Sequence, residues 1–136
     1  MGPHFNPMPG AEGWQLSNPS IMSMAPLRAS LEIFTAAGMQ RLREKSESLT
    51  AYLEFLLHRH AKDGFTLITP REPERRGAQL SIRIHRGGRA ICDRLVAQGT
   101  LCDWREPDIL RVAPVPLYNT YTDVHRFVDR FVVALP

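Results

Sequence analysis

The sequence lacks the features that mark several large functional classes. It contains two cysteines, Cys92 and Cys102, with no zinc-ligand spacing and no paired histidines beside them. One is expected on a helix and the other on a strand, as reduced core residues of a cytosolic protein. No apolar run approaches the ~18–20 residues that a membrane span needs. The first residues, Met1-Gly-Pro-His-Phe, do not pair a charged segment with an apolar one, so they do not read as a signal peptide. Aromatic residues make up 8%. A sheet that reads RNA displays aromatics on its strands, whereas Gln79, Ser81 and Arg83 occupy those places here. No glycine loop of the phosphate-cradling kind and no Gly-x-Ser-x-Gly elbow occurs. The five histidines are scattered and read as surface or satisfied core residues. Charge of one sign is also scarce. The net charge is +3, and the densest basic run, Arg71 to Arg76, is broken by acids. That run reads as a solvated loop, so neither nucleic acid nor membrane is expected as a partner.

The chain has 136 residues, of which 43% are hydrophobic and 23% charged, enough for one modest core. Residues 1–18 are rich in proline and glycine, with Phe5 and Trp14 as aromatic anchors. They read as an irregular arm, and residues 19–136 as the domain proper. Ser17-Asn18-Pro19 offers a helix start, with Ser17 or Asn18 as cap and Pro19 in the first helical position. A helix is expected over 19–36, with Ile21, Met24, Leu27, Leu31 and Phe34 on one face. Pro26 should kink or divide it. A second helix over 39–61 carries Met39, Leu42, Leu49, Leu53, Leu56 and Leu57 as its core stripe. Its outer face, with Arg41, Arg43, Glu44, Lys45, Glu47 and Glu54, reads as solvated charge. His58 and His60 suit its C-terminal dipole.

Beyond Asp63-Gly64 the pattern changes. Strands are expected over 65–69, 79–85, 100–104 and 109–113, with the period-two run Leu80, Ile82 and Ile84 facing inward. A helix over 89–98, closed by Gly99, lies between the second and third strands. Thr120 and Asp123 form a capping-box signal for a last helix that buries Val124, Phe127, Val128, Phe131 and Val132. The fold class is α+β: a small, mostly antiparallel sheet with helices packed on one face.

One charged residue stands out in the last strand, Ile109-Leu-Arg-Val-Ala113. Leu110 and Val112 share one face, and Arg111 falls on the other with Ile109 and Ala113. A guanidinium among apolar neighbours either meets an anion, which its planar fork can grip with two parallel hydrogen bonds, or escapes. The escape routes are solvent or an acid such as Asp103 or Asp108.

Several stretches, in order and without large gaps, resemble the C-terminal part of kynureninase. They are Gln15-Leu-Ser-Asn-Pro-Ser-Ile21, Ala29-Ser-Leu-Glu-Ile-Phe34, Lys45-Ser-x-x-Leu-Thr-x-Tyr-Leu-Glu-Phe55, Ile68-Thr-Pro70, Arg76-Gly-Ala-Gln-Leu80, Leu101-Cys-Asp103 and Arg111-Val-Ala-Pro-Val-Pro-Leu-Tyr-Asn119. Ser20, where a second proline is common, and Arg28 in the first helix depart from the family pattern.

The resemblance implies the C-terminal small domain of a fold-type I pyridoxal-phosphate enzyme, a hydrolase of tryptophan degradation. The family cleaves L-kynurenine, or its 3-hydroxy form, to anthranilate or its 3-hydroxy form and L-alanine, as a cytoplasmic homodimer. By resemblance Arg111 binds the substrate carboxylate, Asn18 contacts the cofactor, and Ser17 and Asn18 lie near the substrate. A capping role for Asn18 can coexist with that one. The family holds its cofactor on a lysine of the large domain. The two lysines here, Lys45 and Lys62, stand in no such context. The resemblance therefore implies no catalytic residue in this chain, which would depend on the large domain and be inactive alone. The competing reading is a free-standing module that binds an amino-acid carboxylate.

Overall fold

The computed structural model describes residue 4, residues 6–60 and residues 64–136. Phe5, Lys62 and the expected helix end at Asp63 lie outside the described residues. The chain divides into two compact units, Met1–Ala37 and Gly38–Pro136.

The first unit holds a 3-10 turn, Ala11–Trp14, and helix α1, Ile21–Ala37. The first intrahelical bond runs from the Met24 N–H to the Ser20 carbonyl at 3.0 Å. Ser20, rather than Ser17 or Asn18, therefore sits in the capping position. Proline disfavours helical backbone at the residue before it, which keeps Asn18 out of the helix. Pro26 lies inside α1 without dividing it. Its ring removes one bond to the carbonyl of Met22, a residue open to water that can replace the lost donor. No residue of α1 is buried, and the expected stripe of Ile21, Met24, Leu27 and Leu31 is exposed.

The second unit contains α2 (Met39–Arg59), β1 (Phe65–Leu67), a 3-10 turn (Pro73–Arg75), β2 (Leu80–Ile84), α3 (Arg89–Ala97), β3 (Asp103–Arg105), β4 (Ile109–Val112) and α4 (Tyr121–Ala134). The strands form one sheet in the order β1-β2-β4-β3, with every neighbouring pair antiparallel. The period-two pattern works as expected: Leu80, Ile82 and Ile84 are buried, as are Leu110 and Val112 beside them. These side chains join Leu49, Leu53 and Leu57 of α2, Ile91 and Leu95 of α3, and Val124, Val128 and Phe131 of α4 in one core. Phe131 is its hub, with rings of Phe65 and Phe127 at centroid distances of 5.2 and 5.7 Å. The α+β layer expected from the pattern is thus present.

Local chemistry sets the element boundaries. Gly99 has φ +76°, and the Gly99 and Thr100 N–H groups bond the Val96 and Leu95 carbonyls, closing α3 with a Schellman turn. Thr100 is thereby used by the helix end, so β3 begins at Asp103 rather than at residue 100. β1 ends early, but its pairing with β2 continues through Ile68 N–H to the Ser81 carbonyl and Ser81 N–H to Thr69 Oγ1. Thr120 and Asp123 close the expected capping box. Val132 is half-buried, and Ala134 takes the buried place one turn from Phe131.

Cys92 and Cys102 are free thiols with sulfurs 3.6 Å apart. Burial, together with Cys92, pushes the Cys102 thiol up to about 12, so it stays protonated.

Glu54 departs from the sequence expectation. It is buried rather than solvated, and the basic loop after β1 folds onto it. Arg76 Nη1 donates to Glu54 Oε2 at 2.7 Å, and Arg71 Nε to Oε1 at 2.9 Å. The Arg76 and Glu54 side chains are 5% and 11% exposed. Arg43 also holds this loop through the Arg76 carbonyl. Burial alone would raise the Glu54 carboxyl, but the hydrogen bonds and charges of Arg76 and Arg71 outweigh it and hold the group below its ordinary value. Its stabilising contribution is therefore full above the ordinary carboxylate range and is lost as pH falls through the lowered folded value. Glu54→Gln leaves the buried Arg76 guanidinium without a counter-charge and should cost about 3 kcal/mol of stability near neutral pH, read by urea denaturation. The loss should shrink toward acid pH. An unchanged denaturation midpoint would refute the role given to this cluster.

Candidate functional site

Residues directly opposite in an antiparallel pair point to the same face of the sheet. Arg111 on β4 is opposite Ser81 on β2 and Asp103 on β3. These three form a row across the sheet face opposite the one that packs on α2, α3 and α4. The next row holds Thr66, Arg83, Ile109 and Arg105. The core-facing register of Leu110 and Val112 is thus what turns Arg111 outward.

The Arg111 side chain is 32% exposed, and its fork already holds a carboxylate. Nε donates to Asp103 Oδ2 at 2.7 Å, and Nη2 donates to the same oxygen. Arg105 Nε reaches that oxygen as well, at 3.0 Å. Of the two acids considered for Arg111, Asp103 is the partner, while Asp108 pairs with Arg83 at 3.5 Å. The hydrogen bonds from Arg111 hold the Asp103 carboxyl below its ordinary value, against a desolvation effect and with help from the charges of Arg105 and Arg111.

The loop after β4 is pinned from both sides. Asn119 Oδ1 accepts from the Val115 N–H at 2.7 Å, and the Asn119 N–H returns a bond to the Val115 carbonyl at 2.8 Å. Lys45 Nζ donates to the Pro116 carbonyl at 2.7 Å. Lys45, expected on the solvated face of α2, is therefore committed to this loop. A half-open hollow of about 530 Å³ lies between the loop and α4, lined by Tyr118, Arg126 and Arg130 among others. Arg111 does not line it; its guanidinium belongs to the open face of the sheet.

Ser17 and Asn18 belong to the first unit and are exposed. With Asn6, Glu12 and Gln15 they edge an open hollow of about 520 Å³. Gln15 Nε2 donates to the Ser17 carbonyl at 3.1 Å. Arg105 was missed at the sequence level because the third strand was expected to stop at residue 104. The signal was the alternation Asp103-Trp-Arg105, in which Trp104 turns toward the core and the two charges away from it.

A family model for the kynureninase C-terminal domain matches residues 42–131. This chain belongs to the kynureninase family. A kynureninase from Koribacter versatilis is 68% identical over 135 residues, covering 99% of this chain and 32% of that protein. A kynureninase from Xanthomonas euvesicatoria pv. vesicatoria is 56% identical over 133 residues, covering 96% of this chain and 31% of that protein. The chain thus spans about a third of the length of the curated kynureninases it matches. Among solved structures, a NIFS-like protein shares the fold at TM-score 0.69 and 18% identity, over 90% of this chain and 35% of that one. The family model includes Asp103, Arg105 and Arg111 and begins after Ser17 and Asn18.

The lowered Asp103 carboxyl is the measurable mark of this kynureninase ion pair. The pair adds stability above the ordinary carboxylate range and loses it as pH falls through the lowered value. Arg111→Gln should return Asp103 toward its ordinary value, followed by carboxyl NMR across an acid titration. A titration unaffected by the substitution would remove the pair.

Proposed function

We propose that this chain is the small domain of a kynureninase that hydrolyses L-kynurenine or its 3-hydroxy form, and that Arg111 grips the substrate α-carboxylate. The observation that carries the reading is the Arg111 fork, turned to the open face of the sheet and already engaged with a carboxylate. A substrate carboxylate has the same charge and geometry as the Asp103 side chain.

Pyridoxal phosphate would supply the electron sink for the reaction when bound. Asn18 offers an exposed side-chain amide suited to a polar edge of such a cofactor, and the Ser17 hydroxyl beside it suits the substrate. Lys45, engaged with the Pro116 carbonyl, is a poor candidate for the lysine that holds the cofactor. That lysine, and the proton transfers it performs, are assigned to the rest of the enzyme. The part played by Arg111 is positional: a bidentate grip fixes how the amino acid is presented to the reacting centre. The reading takes residues 1–18 as an arm joining the large domain to the small domain of residues 19–136. It takes the intact enzyme as a cytoplasmic homodimer.

Arg111→Ala in the intact enzyme should lower kcat/KM for L-kynurenine about 100-fold, mostly through KM, with the visible absorbance of bound cofactor unchanged. An unaltered KM would sink the assignment. The same reading makes α1 a surface meant to be covered. Ile21 and Met22 are 81% and 85% exposed, and Leu31 and Ile33 are exposed as well. Apolar area of this kind drives association. Sedimentation of the isolated chain should show concentration-dependent self-association, and a monodisperse monomer at high concentration would contradict the covered-surface reading.

A further inference from the structure

Asp103 meets Arg111 from one side. Both hydrogen bonds from Arg111 come from one side of the guanidinium, Nε and Nη2, and both end on the single oxygen Oδ2. A guanidinium presents two edges suited to a carboxylate, the Nε/Nη2 side and the Nη1/Nη2 end. Asp103 takes the side. Among the described residues no hydrogen bond from Nη1 accompanies it, so the end of the fork is left for another acceptor.

The charge count agrees. Arg105 Nε meets the same Oδ2 at 3.0 Å, so two guanidinium groups converge on one carboxylate oxygen. Arg105, Asp103 and Arg111 together carry one net positive charge, the complement of one further carboxylate. Their order along the sheet is also fixed. Asp103 and Arg105 are two apart on β3 and share its open face, and Asp103 stands opposite Arg111 on β4. Asp103 therefore lies beside Arg111 within the sheet, and the guanidinium can extend past it.

Resting on the carboxylate-clamp reading, we infer that Asp103 is a positioning residue for substrate binding, holding the Nε side of Arg111 so that the Nη1/Nη2 end receives the substrate carboxylate, with Arg105 balancing its charge. Asp103 does not touch the substrate in this arrangement. It acts through Arg111, a long side chain whose rotamer freedom would otherwise be spent on binding. A carboxylate that merely competed for the fork would have the opposite effect on affinity, and this gives the inference a sign.

The test uses the intact enzyme carrying this domain, with L-kynurenine as substrate, and the variants Asp103→Ala, Asp103→Asn, Arg111→Ala and the double variant Asp103→Ala/Arg111→Ala. Asp103→Ala should raise KM about tenfold, with kcat and cofactor absorbance little changed. Asp103→Asn keeps an oxygen acceptor for the Nε–H and should recover most of that loss. The double variant should be no worse than Arg111→Ala alone, because Asp103 acts only through the arginine. In the 136-residue chain, the Arg111 Nε–H resonance should be protected from solvent exchange, and Asp103→Ala should abolish the protection. If Arg111→Ala leaves KM unchanged, the clamp reading itself falls. If Arg111→Ala raises KM but Asp103→Ala lowers it or leaves it unchanged, the clamp stands and the positioning role is overturned. An Nε–H signal indifferent to Asp103→Ala would overturn it as well.

Discussion

The register of β4 is the constraint on which both the core and the candidate site depend. Side chains alternate along a strand, so Leu110 and Val112 can enter the core only if Arg111 points the other way. A slip of one residue would push a guanidinium among Ile82, Leu95 and Phe131 and turn two aliphatic side chains to water. The apolar pattern thus fixes the register, and the register places Arg111 opposite Asp103. The stability of the sheet and the geometry of the ion pair follow from the same alternation.

The second unit uses its charges in two different ways. Glu54 and Arg76 are buried and paired with one another, fastening a polar loop to α2. Asp103, Arg105 and Arg111 are partly exposed and carry an uneven charge count. The first cluster is closed by its own loop. The second lies on the sheet face opposite the one that packs on α2, α3 and α4. Lys45 adds a link between these regions, since it ties α2 to the loop that follows Arg111.

The α+β order, the core stripe of α2 from Leu42 onward, the inward residues of β2 and the capping box of α4 were legible because each depends on local periodicity or on contacts within a few residues. Met39, expected in that stripe, is exposed in the first turn of the helix. The family resemblance was legible in the same way, from motifs such as Arg111-Val-Ala-Pro-Val-Pro-Leu-Tyr-Asn119. Residues whose role is set by distant partners were harder to read. Glu54 looked like one more charge on a solvated helix face, because its partners at Arg71 and Arg76 reach it only after the chain has reversed. The start of β3 was misjudged because Thr100 spends its N–H on the end of α3. Ser20 displaced Asn18 as the cap of α1 through the backbone restriction that Pro19 imposes on its predecessor.

By itself, then, the sequence determined which residues are apolar and at what period, and hence which elements form and which face of each is buried. It also set Arg111 on the uncovered face of its strand. Only the tertiary structure decided which anion that guanidinium meets. Asp103 and Asp108 were equal candidates in sequence, and pairing β3 with β4 at the position that matches Trp104 to Leu110 put Asp103 opposite Arg111 and left Asp108 to Arg83. The physical reason is that hydrophobic periodicity is a local property of the chain, whereas an ion pair needs two distant segments brought within hydrogen-bond reach by packing.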